Sequence, residues 1–140
     1  CLYIIFDVFL DMNFKWKIIY YETSEAQCPV QDFIDGRKTR DEAKILSWIS
    51  LLEEQGPNLP RPYADLLEDG IHELRVKLSG DQVRVLYFFC FREFIILTHA
   101  FLKNTTRVPK NQIRQAKRMR EDFLNRFDEQ QLKEETDENL

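Results

Sequence analysis

Glycine is scarce, with four in 140 residues, and neither a G-x-G-x-x-G nor a G-x-x-x-x-G-K-[ST] run occurs. A loop whose backbone cradles a nucleotide's phosphates is therefore excluded. The three cysteines, Cys1, Cys28 and Cys90, are odd in number and too widely spaced for a C-x-x-C pair. This argues against a disulfide framework or a thiolate zinc site, and fits reduced thiols in a cytoplasm. His72 and His99 stand 27 residues apart without a second ligand set, so neither a metal centre nor a cofactor is expected. No G-x-S-x-G elbow is present. Long apolar runs are missing as well. The apolar opening, CLYIIFDVFLD, is interrupted by Asp7 and too short to span a bilayer. It also lacks the leading methionine and basic segment of a signal peptide. Met12 is the first methionine, so residues 1–11 are read as an upstream or non-native extension, with an extra strand as the alternative.

What is present is unevenly distributed. Eighteen aromatics can build a core in a chain of one-domain length. The net charge of −4 averages unlike segments. Residues 1–70 carry 7 Lys/Arg against 13 Asp/Glu, residues 71–127 carry 12 against 5, and residues 128–140 carry 1 against 6. The basic block points to an anionic partner for that half, against the plainer reading of a solvated charged surface. Residues 12–127 are taken as the domain and the acidic residues 128–140 as a disordered tail.

Periodicity supplies the elements. Phe14–Tyr21 is aromatic and β-branched, which predicts a strand. Pro29 to Gly36 suits a short helix with proline in its first turn and glycine at its end. Thr39–Gln55 is the clearest helix, with Ile45, Leu46, Trp48, Ile49 and Leu52 on a stripe and Thr39/Glu42 at capping-box spacing. Tyr63–Leu67 is read as a turn of helix. Ile71–Leu78, Gln82–Phe89 and Phe94–Leu102 form an antiparallel meander, and Pro109 opens a last helix. The class is α+β, with helices packed on one face of a small curved sheet and the other face left for a ligand.

Such a sheet, bearing cations, a phenol and an imidazole, suits RNA. The RNA 2′-hydroxyl is its own nucleophile. A protein need only align it, move protons and stabilise charge on the phosphoryl oxygens. Arg84 has the fixed fork that matches phosphate, and Arg75 and Lys77 share one face of their strand by period two. Glu73 lies on that face as well and could neutralise Arg75. Tyr87 lies at odd spacing from Arg84, so a bulge or twist is needed to bring it to the same surface; otherwise it is a core tyrosine. His99 is a candidate acid or base, or a hydrogen-bonded core residue. Lys103 and Arg107 follow the last strand, and Lys110, Arg114, Lys117 and Arg118 form a basic ramp on the final helix.

HELRVKLSGDQVRVLYF followed by ILTHAFLKNTTRVPKNQIRQAKRM resembles the HigB-like branch of the RelE toxin superfamily, over about Phe14 to Phe127. The resemblance implies a RelE-like fold and a metal-independent, ribosome-dependent mRNA endonuclease acting in the A site. It further implies a type II toxin–antitoxin pair, with a helix-turn-helix protein as antitoxin and no membrane partner. Carried residue by residue, it favours Arg75 and Arg84 as phosphate-stabilising cations, with His99, Lys103 and Tyr87 in second rank. It departs at Lys103-Asn104, where the family commonly has two adjacent basic residues. That leaves either weaker catalysis or Arg107 in the second cation's place. Two other readings use the same fold: a ParE-like inhibitor of DNA gyrase, and a non-catalytic module that binds an antitoxin or RNA.

Overall fold

The computed structural model describes residues 15–138; the proposed extension 1–11 lies outside them. Five strands form one sheet in the order β1-β5-β4-β3-β2. They are β1 (Lys17–Tyr20), β2 (Ala64–Glu68), β3 (Ile71–Lys77), β4 (Gln82–Cys90) and β5 (Phe94–Leu102). β1 runs parallel to β5, and the other pairings are antiparallel. Helices α1 (Pro29–Asp35) and α2 (Thr39–Gln55) lie between β1 and β2 in the chain, and α3 (Lys110–Arg126) and α4 (Glu129–Glu138) follow β5. The α+β class read from the sequence is the one observed. No helix among the described residues is long and apolar enough to cross a membrane.

The helices do not share one face. Val30, Ile34, Ile45, Ile49 and Leu52 of α1 and α2 pack on Leu74, Val76, Val83, Val85 and Leu97. Ala116 and Phe123 of α3 and Leu132 of α4 pack on Leu86, Phe88 and Ile96 from the opposite side. The expected free face is thus largely covered. The sign of this is in β4, where every residue from Val83 to Phe88 is buried. A strand covered on both faces reads as a continuous apolar run rather than an alternating one.

Three local expectations change. Tyr63–Leu67 is not helical: Ala64–Glu68 is a strand joined to β3 through Asp69-Gly70. Both turn residues have positive φ, +49° and +81°, which is what Asp-Gly supplies in a two-residue hairpin. Thr39 is the first residue inside α2, and no side chain caps that helix. Within the acidic tail, Glu129–Glu138 is a helix rather than a frayed segment. Asp128 Oδ1 accepts from Gln131 N at 2.8 Å while Gln131 Oε1 accepts from Asp128 N at 2.9 Å, a reciprocal cap. Leu132, 2% exposed, anchors it in the second core, and burying a leucine stabilises by about 2 kcal/mol. We expect Leu132→Ser to release α4, seen as rapid tryptic cleavage at Lys133 while the rest of the native chain resists.

Candidate functional site

Period-two alternation places Glu73 and Arg75 of β3 on the α3 side of the sheet, opposite Leu86 and Arg84 of β4 respectively. A bulge in β5 decides what joins them. Leu86 pairs with His99 and Tyr87 with Leu97, which leaves Thr98 as the extra residue. Thr98 is fully buried, and its hydroxyl donates to Leu86 O at 3.0 Å. Because of the extra residue, His99 and Phe101 fall on the α3 face rather than with Leu97.

Glu73 is the centre of the charge cluster. It is 2% exposed and sits between two guanidiniums. Arg75 Nε donates to its Oε1 at 2.7 Å, and Arg84 Nε lies 3.3 Å from its Oε2 without hydrogen-bond alignment. Arg75 also reaches Asp65 on β2 at 3.4 Å. Arg84, 6% exposed, donates to Val83 O at 3.1 Å. Burial pulls its guanidinium below the ordinary value, and Glu73 opposes that; an arginine remains charged all the same.

Beside this cluster lies an open groove of about 840 Å³ between the β2–β3 hairpin and the segment leading into α3. Arg75, Lys103, Arg107 and Lys110 border it, together with Asp65 and Glu73. Lys103 stands in a positive environment. Desolvation and the repulsion of Arg84 and Arg75 lower its pKa, with Glu73 opposing. Its ammonium therefore releases a proton more readily than an isolated lysine does. Asn104 borders a separate hollow that Lys103 also lines, and Arg107 shares the main groove with Lys103.

Several sequence candidates fall elsewhere. Tyr87 is 1% exposed in the α1–α2 core, stacked on His72 at 5.3 Å, and burial pushes its phenol up. No bulge brings it to the Arg84 face, since the extra residue lies in β5. His99 does reach the α3 side but is 5% exposed and screened by Gln112, whose Oε1 is 2.8 Å from its Nε2. Its Nδ1 faces Thr98 Oγ1 at 3.2 Å, so both ring nitrogens are occupied. Lys77 is exposed and lines another hollow. Lys117 is bound to Glu68 and Asp69, where it pins α3 to the β2–β3 turn. Arg114 and Arg118 are exposed on α3 away from the groove lining. Asp65 joins the site only because Ala64–Glu68 is a strand and not a turn of helix; the Asp69-Gly70 turn is the signal for it in the sequence. Among the described residues, no cluster of His, Cys, Asp and Glu has a metal-binding arrangement. Burial pushes the Cys90 thiol up to about 12, which leaves it an inert core group.

The histidines set a pH dependence. Burial lowers the pKa of both His72 and His99 in the folded state. The unfolded chain then binds protons near the ordinary value of about 6.5 while the folded one resists. Stability from these groups is present above that value and declines as pH falls through it. We expect Tm to drop between pH 7.5 and 5.5, and a His72→Phe/His99→Gln double variant to show a flatter profile. Equal slopes for the two proteins would place the acid sensitivity elsewhere.

Residues 32–121 match the family model described as "Phage derived protein Gp49-like (DUF891)". No curated protein matches the chain. The matched span runs from α1 into α3 and contains every residue that borders the groove.

Proposed function

This chain belongs to the phage-derived Gp49-like family, and on that footing we propose that it is the toxin of a type II toxin–antitoxin pair, a HigB-like mRNA endonuclease of the RelE superfamily. The observation that carries the proposal is the groove in which Arg75, Lys103, Arg107 and Lys110 converge. Arg75 uses Nε on Glu73 and an Nη2 contact on Asp65, which leaves Nη1 to take an incoming phosphate. In this reading the RNA 2′-hydroxyl gives its proton to solvent water as its oxygen attacks the adjacent phosphorus, and the P–O5′ bond breaks to leave a 2′,3′-cyclic phosphate. Arg75 and Arg107 hold the developing negative charge on the phosphoryl oxygens. Lys103, with its lowered pKa, gives its proton to the departing 5′-oxygen. Arg84 acts from beneath, by holding Glu73 in place and raising the local positive field. The substrate is mRNA in the ribosomal A site, the partner a helix-turn-helix antitoxin, and the compartment the cytoplasm.

One observation favours the binding-only reading: both arginines already have a carboxylate, Glu73. The test is induced expression followed by mapping of mRNA ends with and without translation. We expect growth arrest and cuts on translated messages only. Lys103→Ala and Arg75→Ala should each slow cleavage about 10²-fold, the usual loss for one charge-stabilising group. Growth arrest with intact message sinks the nuclease reading. Arrest that tracks inhibition of purified gyrase supports the ParE-like alternative, and variants that keep full potency support a binder.

A further inference from the structure

A second hollow lies at the Lys77–Gln82 end of the β3–β4 hairpin, with a volume of about 350 Å³. Lys44, Arg75, Lys77 and Arg84 line it, together with Trp48 and Tyr63, and no carboxylate does. The main groove, by contrast, mixes its cations with Asp65, Glu68 and Glu73. The side chains of Lys44 and Lys77 make no ion pair among the described residues.

The aromatic part of this hollow is held in position. Tyr63 O accepts from Arg75 N at 2.8 Å, which ties its backbone to β3. Its ring rests on Trp48 of α2 with centroids 5.1 Å apart and planes tilted by 31°. The residue is nevertheless 43% exposed. A supported aromatic ring among cations is the combination that binds single-stranded nucleic acid: the ring takes a base and the cations take its phosphates.

We propose that Tyr63 is the stacking platform for one base of a single-stranded RNA segment, with Lys44 and Lys77 on its flanking phosphates. This deepens the nuclease reading and rests on it. Arg75 borders both hollows, so a strand whose scissile linkage lies in the groove passes over that guanidinium to reach Tyr63. An acidic peptide would satisfy the lysines but has no obligatory planar group for the ring.

The test is binding of a short 2′-fluoro oligoribonucleotide, which lacks the internal nucleophile, to the full chain by fluorescence anisotropy. Tyr63→Ala should weaken binding about tenfold and Tyr63→Phe by less than about twofold, since stacking needs the ring and not the hydroxyl. One abasic substitution in the oligonucleotide should weaken the wild-type complex by a similar factor and leave the Tyr63→Ala complex unchanged. Lys77→Ala should reduce the slope of log affinity against log salt by about 0.7, the value for one phosphate of a single strand. Wild-type affinity in Tyr63→Ala, equal losses in the Ala and Phe variants, or full displacement by polyglutamate overturns the proposal. Base-dependent binding through Tyr63 without any cleavage of translated mRNA retains this subsite and removes the nuclease. Cleavage indifferent to Tyr63→Ala does the reverse.

Discussion

Glu73→Ala is expected to destabilise the protein by about 3 kcal/mol or more, because it strips the anion from a buried arginine. Glu73 is 2% exposed and Arg84 6% exposed, so water does not replace the lost carboxylate easily. What remains to Arg84 is Val83 O at 3.1 Å and Gln82 Oε1 at 3.4 Å, two neutral acceptors for a full positive charge. Arg75 is better placed, since Asp65 and solvent remain available to it. The cost should therefore lie mainly with Arg84, and a double variant, Glu73→Leu with Arg84→Met, should recover most of it. Breaking a buried pair and replacing it by apolar groups are different operations. Urea unfolding measures this as a fall in midpoint at constant m-value. A shift within about 0.5 kcal/mol would mean the pair is solvated in solution, and the charge cluster would lose its centre.

Gly56→Ala should cost about 3 kcal/mol, from backbone strain and overpacking together. Gly56 closes α2 with φ +53° and ψ −128°, a conformation that disfavours any side chain. An added Cβ would also overlap the Trp16 indole. That ring cannot swing away cheaply, because it packs edge-on against Phe89 at 5.1 Å and Trp16 N donates to Glu53 O at 3.0 Å. Gly80→Ala is the control. It has φ +89° but nothing within 4 Å of a new Cβ, so it should cost only about 1 kcal/mol. Similar melting losses for the two variants would show that the Trp16 contact is unimportant.

Much of the architecture was legible in one dimension. The boundaries of α2 and β5 follow from apolar period and from Gly56-Pro57, and the meander follows from its short turns. β2 was missed because it is a short edge strand with exposed Leu66, whose apolar spacing mimics one helical turn. The last helix was missed because charge dominates its composition, while a single buried leucine and a reciprocal cap are enough to dock it.

The candidate site divides the same way. Local chain order settled that Glu73, Arg75 and Lys77 share a strand face and that basic residues crowd residues 71–127, because side-chain direction in a strand and net charge are local properties. Which of those charges meet depended on pairing across the sheet. The β3–β4 register set Arg84 opposite Arg75 with Glu73 between their guanidiniums, and the extra residue at Thr98 reversed the facing of His99. Packing of α3 then hid that imidazole behind Gln112, committed Lys117 to the hairpin turn and set the helix's first turn along the groove. Those are contacts between residues distant in the chain, and no periodicity within one segment encodes them.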